Sequence, residues 1–139
     1  MQRIAIVRPP RALGWWHIKV NGKAVGQLKT EKCVFDNLIL IRSFKIKKKY
    51  RNQGYGRRLL FVVVKALRNE NYACFLNCQP KNKVAHHLYE SLGFKTFKSE
   101  YDWECIKWDY MSPYDLGIYG TRVSFIKTLL PKDRNKHRR

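Results

Sequence analysis

Ile46-Lys47-Lys48-Lys49-Tyr50-Arg51-Asn52-Gln53-Gly54-Tyr55-Gly56 joins two apolar runs of different character. Before it, Leu38–Ile46 is rich in branched apolar residues and reads as a strand. After it, Leu59, Leu60, Val63 and Leu67 recur at helical spacing and predict a helix from about Tyr55 to Arg68. Val62 and Val64 widen the apolar face, so the helix is expected to be well buried. A glycine-bearing turn that leaves a strand and opens a helix suits an anion. The helix N-terminus offers unpaired N–H groups and the positive end of a dipole. Gly54 and Gly56 remove the Cβ atoms that would hold a pyrophosphate away from the backbone. Lys47, Lys48, Lys49, Arg51, Arg57 and Arg58 surround the turn with positive charge.

Outward from this turn, the chain alternates strand-like and helical segments. Arg3–Val7 reads as a strand stopped by Pro9-Pro10. Trp15–Val20 and Lys23–Lys29 flank Asn21-Gly22, a strong hairpin signal. Cys33–Lys47 reads as one long β stretch. Beyond the helix, Tyr72–Asn77 is a short strand. Asn82 is placed to cap a second helix, Lys83–Leu92, which Gly93 closes. Phe94–Lys98 and Trp103–Tyr110 read as strands with a turn near Ser99–Asp102. Tyr119–Leu130 is open between a final strand and a docked tail. The expected fold is mixed α/β, with a parallel strand–helix–strand crossover at its centre.

The 139 residues carry 29 Lys and Arg against 10 Asp and Glu, a net charge of +19. From Asn37 to Arg68 there are ten Lys or Arg residues and no carboxylate. Clustered charge of this size implies a polyanionic partner, such as nucleic acid, a ribonucleoprotein or an acidic membrane surface. A merely solvated basic surface is the plain alternative. Apolar residues make up 45%, enough for one core, which excludes a disordered chain. The longest apolar run, Leu59–Val64, is too short to span a bilayer. Cys74 and Cys78 are four apart, but no further Cys or His completes a zinc spacing, so no metal site is expected. Cys74 and Cys105 sit in strand-like runs and read as core residues. Reduced thiols and no visible signal peptide imply an intracellular, cytoplasmic protein.

A second stretch gives the turn a context. Asn82-x-x-Ala85-x-x-Leu88-Tyr89-Glu90-Ser91-Leu92-Gly93-Phe94 follows one strand later. With Ile46-x-x-x-Tyr50-Arg51-Asn52-Gln53-Gly54-Tyr55-Gly56 it resembles the GNAT superfamily of acyl-CoA-dependent N-acyltransferases, over roughly residues 36–110. The resemblance implies a mixed, mostly antiparallel sheet with a central β-α-β-α unit. Apart from the resemblance, the chain shows no repeat or low-complexity linker, so one domain is expected over residues 1–131, and the nearly all polar, basic stretch 132–139 reads as a disordered tail. Acetyl-CoA is the implied donor. Its pyrophosphate would meet the backbone from Gln53 to Arg58, with Lys48, Lys49, Arg51, Asn52, Gln53, Gly54, Tyr55, Gly56, Arg57 and Arg58 around it. Its pantetheine arm would pair with backbone near Phe44 and Ile46. Asn82 matches the family residue that hydrogen-bonds this arm, and it can cap the helix at the same time. Tyr89 matches the family's general acid, a phenol that protonates the departing thiolate. The backbone N–H of Ile46 or a neighbour is the candidate for the oxyanion. Without the resemblance, Tyr89 would read as a core residue.

Two departures bear on function. Some family members carry a Glu base on the long strand, whereas Leu38–Lys45 has no carboxylate and Leu40 falls near that position. His17 and Asp36, with Glu104 behind them, are the substitute candidates, each with an ordinary structural reading. Secondly, Arg8–Leu13 and Gly14 are too short for the two helices that follow the first strand in many members. Those helices are expected to be reduced or absent. The acceptor face is then open, which suits a macromolecule better than a small metabolite. The expected activity is acetyl transfer, by direct attack, to an amine on nucleic acid or a nucleic-acid-associated acceptor. The alternative is a non-catalytic GNAT-like module that binds nucleic acid. A covalent route through Cys78 lacks an evident base. The oligomeric state is open.

Overall fold

β1 (Ile4–Val7) runs antiparallel to β2 (Gly14–Val20), which turns back into β3 (Lys23–Lys32). Asn21 and Gly22 adopt φ of 52° and 83°, the left-handed pair that a two-residue hairpin requires. Asn21 also ties the turn to the start of β1: Arg3 N donates to Asn21 Oδ1 at 2.9 Å. The computed structural model describes residues 2–33 and 37–116. The backbone falls into two units, Met1–Phe75 and Leu76–Arg139.

In the first unit, a single 3-10 turn (Pro10–Ala12) is all that stands between β1 and β2, as the short spacing predicted. Thr30 of β3 fastens it. Its hydroxyl donates to Ala12 O at 2.6 Å and accepts from Trp16 Nε1 at 3.1 Å and Gly14 N at 3.2 Å. Thr30 and Trp16 are both buried. β4 (Leu38–Ile46) pairs antiparallel with β3, and β5 (Ala73–Cys78) pairs parallel with β4. The expected β stretch from Cys33 is a strand only from Leu38 onward, and residues 34–36 lie outside the described residues. Cys33 N donates to Leu38 O at 2.9 Å, and Asn37 takes φ of 62°. The helix α1 (Tyr55–Asn69) buries Leu59, Leu60, Val63, Ala66 and Leu67. Val62 and Val64 are only half-buried and Phe61 is 56% exposed, so α1 is less covered than expected.

The second unit begins within β5. Leu76, Asn77 and Cys78 pair with Met111, Tyr110 and Asp109 of β7 (Lys107–Ser112). α2 (Lys83–Ser91) precedes β6 (Lys95–Tyr101), which pairs antiparallel with β7. The expected turn at Ser99–Asp102 lies further along, at 102–106. Asp102 builds it: Oδ1 accepts from Glu104 N and Ile106 N, and Oδ2 from Trp108 Nε1. Cys105 is therefore not a core residue but an exposed turn residue with φ of 63°. The strands follow the hydrogen-bonded order β1-β2-β3-β4-β5-β7-β6, with one parallel neighbour pair. This is the mixed, mostly antiparallel sheet with a central β4-α1-β5-α2 run that the sequence implied. Tyr119–Leu130 and the basic tail lie outside the described residues.

Thr30→Val removes a hydroxyl and little volume. It leaves a buried carbonyl and an indole N–H without their partner, so stability is expected to fall by about 2 kcal/mol. Urea denaturation measures it; an unchanged midpoint would show that the 3-10 turn is not fastened this way.

Candidate active site

The loop from β4 to α1 owes its shape to two left-handed residues. Asn52 has φ of 64° and Gly54, the N-cap of α1, has φ of 84°. A Cβ on Gly54 would meet no atom within 4 Å, so glycine is required by the backbone angle and not by crowding. No side chain caps α1. Its first-turn N–H groups thus point out of the helix with no acidic residue nearby. Alternation of right- and left-handed residues of this kind makes a concavity of N–H groups that suits an anion.

Side chains brace the loop. Arg51 Nε donates to Ile46 O at 2.9 Å, and Gln53 Nε2 to Lys49 O at 3.3 Å. Tyr55 is buried and its hydroxyl meets Gln2 Oε1 at 3.3 Å, which moors the start of α1. Lys48, Arg51, Asn52, Gln53, Arg57 and Arg58 are all exposed, and Gly56 is half-buried. The structure therefore brings the sequence-predicted loop residues together around one helix start. Arg51 occupies the Ile46 carbonyl, leaving the Ile46 N–H as that residue's hydrogen-bonding group for a ligand.

β4 changes character on its way to the loop. Leu38–Ile41 are buried, then burial alternates to Ile46. The register with β3 shifts between Gln27 and Lys29, and Ser43 opposite takes φ of 54°, marking a β-bulge. Pairing with β5 ends at Leu40↔Phe75, so β4 runs on to Ile46 beyond its last β5 partner. Lys47 N donates to Val25 O. By strand alternation, the Ile46 N–H points away from β3. Phe44 and Ile46 are half-buried.

In the second unit, Asn82 caps α2 by accepting from Ala85 N at 3.2 Å and is itself exposed. Tyr89 is buried, with its ring tilted against Phe94 at 6.0 Å. Burial, with Cys78 beside it, pushes the Tyr89 phenol above its usual range, so it remains protonated at neutral pH. Burial first, then Asp109 and Glu90, push the Cys78 thiol up to about 11. A thiol held protonated is a poor nucleophile, which removes support from the covalent route.

The candidate bases fall on separate segments of the chain. His17 lies in mid-β2, paired with Val7 and Gln27. Glu104 is exposed in the β6–β7 turn, and Asp36 lies outside the described residues. Leu40 is a buried core residue. Sequence reasoning missed a polar cluster in the second unit. His86 Nε2 lies 2.8 Å from Asp109 Oδ2, and Ser99 Oγ donates to Asp109 Oδ1 at 2.6 Å. A carboxylate within the apolar strand-like run Trp108–Met111 was its signal. Asn77 was also missed. Its Nδ2 is buried without a hydrogen-bond partner among the described residues, the kind of group that a ligand or water satisfies. No group of metal-binding side chains occurs among the described residues. No described helix is long and apolar enough to cross a membrane.

This loop and helix pair belong to an acyltransferase fold. The sequence profile of the Acetyltransferase (GNAT) family matches residues 2–94, and the chain belongs to that family. An N-acetylaspartate synthetase from Xenopus tropicalis is 32% identical over 82 residues, which is 58% of this chain and 30% of that protein. This chain thus spans under a third of that relative. Among solved structures, the ribosomal-protein-S18-alanine N-acetyltransferase from Escherichia coli is similar in fold, with a TM-score of 0.66 and 19% identity over 84% of this chain and 97% of that one. A Bacillus anthracis protein solved in complex with acetyl coenzyme A has a TM-score of 0.63 and 21% identity, over 70% of this chain and 59% of that one.

Asp109 also makes a pH prediction. Burial alone would raise its carboxyl, but hydrogen bonds from Ser99 and His86, with the charges of His86 and Lys107, outweigh burial and hold it below its usual value. A depressed carboxyl contributes stability above its unfolded value, about 3.9, and loses it as pH falls through the lower folded value. Asp109→Asn should therefore flatten the acid limb of a plot of stability against pH. An acid limb identical to that of the wild type would show that Asp109 does not contribute.

Proposed function

We propose that this protein is an N-acetyltransferase that moves an acetyl group from acetyl-CoA to an amine on a macromolecule, either nucleic acid or a nucleic-acid-associated acceptor. The uncapped start of α1 behind left-handed Gly54 carries this reading, because it is a phosphate cradle in a chain of the GNAT family. The pyrophosphate is held by N–H groups from Gln53 to Arg57, since the Arg58 N–H is spent on Gly54 O at 3.1 Å, with the side chains of Lys48, Arg51, Asn52, Arg57 and Arg58 as the charged and polar surround. Backbone at Phe44 and Ile46, the Asn82 side chain and the orphaned Asn77 Nδ2 are the groups for the pantetheine arm.

The amine attacks the thioester carbonyl carbon directly. The Ile46 N–H stabilises the oxyanion. As the C–S bond breaks, Tyr89 gives its proton to the sulfur. Burial keeps the phenol protonated at neutral pH, so the proton is in place when the thiolate forms. The net charge of +19 supports a polyanionic acceptor or setting, because ten cations with no carboxylate between Asn37 and Arg68 exceed what one coenzyme needs. A second reading, a nucleic-acid-binding module without chemistry, is favoured by one observation: β4 carries no carboxylate base.

Calorimetry with acetyl-CoA separates the two. Binding is expected for the wild type and lost in a Gly54→Asp, Gly56→Asp double variant; equal binding in both would defeat the cradle. Tyr89→Phe should lower turnover about 100-fold with acetyl-CoA affinity intact, and unchanged turnover would take Tyr89 out of the mechanism. Labelled acetyl-CoA, added with a cell extract split into RNA, DNA, protein and small molecules, identifies the acceptor. Label in the RNA or protein fraction is the expected result. Label in small molecules alone would overturn the macromolecular acceptor.

A further inference from the structure

The proposed reaction lacks a base on β4, and the second unit holds a cluster that the mechanism above leaves unused. Asn82, His86 and Tyr89 are spaced i, i+4 and i+7 along α2 and share one stripe of the helix. Across from that stripe lies a row of sheet residues. Cys78 pairs with Asp109, and Asp109 with Ser99, so the three share one face across β5, β7 and β6. The two rows meet: His86 bonds Asp109, and Tyr89 lies near Cys78.

We propose that His86 is the general base that takes the proton from the acceptor amine, with Asp109 and Ser99 as its positioning residues. This rests on the transferase reading above. The carboxylate of Asp109 can only accept, so the Nε2 it touches at 2.8 Å carries the hydrogen and the lone pair sits on Nδ1. No other hydrogen bond to the ring occurs among the described residues. Ser99 donates to the second oxygen of Asp109 at 2.6 Å and fixes the carboxylate plane. The side chains of His86 and Asp109 are 17% and 12% exposed, which confines their motion yet leaves the imidazole a solvent-facing edge. This is the orienting logic of a carboxylate–imidazole pair, with the roles of the two nitrogens exchanged. His86 and Tyr89, three residues apart, have Cβ atoms about 5–6 Å from each other. The two side chains are therefore neighbours on one helix face, which suits a reaction whose nitrogen and sulfur bond one carbonyl carbon. The other titratable groups around the pair are Cys78, Glu90 and Lys107.

The protons balance. The ammonium of the acceptor gives one proton to His86 Nδ1, and the resulting amine forms a bond to the thioester carbon. The C–S bond then breaks, and Tyr89 protonates the thiolate. The second amine proton passes to the Tyr89 phenolate and restores the phenol. His86 releases its proton to water.

Two measurements test this, one independent of turnover. Nitrogen-15 NMR of the neutral His86 ring should show the Nε2–H tautomer; the Nδ1–H tautomer would overturn the proposal. In single-turnover labelling with labelled acetyl-CoA and whole-cell extract, His86→Gln should slow transfer about 100-fold, with acetyl-CoA affinity and thermal midpoint near wild type. The acid limb of the rate–pH profile should vanish in that variant. Added imidazole should restore His86→Gly, which a purely structural role would not allow, and Ser99→Ala should give a smaller loss that imidazole does not restore. Transfer by His86→Gln at the wild-type rate would sink this proposal alone. A wild type that transfers nothing would sink both this and the transferase reading.

Discussion

A strand covered on both faces must pair its backbone on both edges, because no water reaches it. β4 meets this demand for part of its length. Leu38–Ile41 are buried, and Leu38, Ile39 and Leu40 pair with β5 while Ile39, Leu40 and Ile41 pair with β3. The β5 pairing then stops, a bulge intervenes at Ser43, and burial begins to alternate. One half of β4 is thus committed to the core and the other half is released from it. The released half leads straight to the loop at Arg51–Gly56, so the position of the proposed phosphate cradle follows from where the core lets go. Arg51 completes the handover by satisfying the Ile46 carbonyl from the loop side.

The second unit is organised by carboxylates. Asp109 draws α2 and β6 to β7 through one oxygen each. Asp102 shapes the β6–β7 turn through two backbone N–H groups and the Trp108 indole. Both residues use the fact that an ionised carboxylate is acceptor-only with room for several donors. In a chain with so few acids, these two hold the strands and the turn around α2 in place.

Local chemistry made much of this legible in the sequence. Asn21-Gly22 announced its hairpin because few residues tolerate two successive left-handed angles. The leucine spacing gave α1, and Asn82 with Gly93 bounded α2 nearly to the residue. The Gly54 turn was readable because its requirement is in the backbone itself. What failed was punctuation without the usual residues. No Gly or Pro marks the interval between the end of β3 at Lys32 and the start of β4 at Leu38, and Trp103–Ile106 is too apolar to look like a turn. The His86–Asp109–Ser99 cluster could not be read at all, since it depends on strand register and on the rotation of α2. The family resemblance pointed to Asn82 and Tyr89 on that helix and passed over the histidine between them.

The four cysteines end in unequal situations. Cys33 and Cys74 are buried and pushed up to about 12, and Cys78 to about 11, mainly by loss of water around the thiolate. Cys105 alone is exposed, in a turn whose shape is set by Asp102. Thiol-directed electrophiles and thiol oxidation are thereby directed to a single surface cysteine, away from the helix that carries Tyr89. The fold is, in effect, selectively armoured. A maleimide or spin label added to the native protein would mark one place, and its signal would report on the β6–β7 turn without disturbing the core.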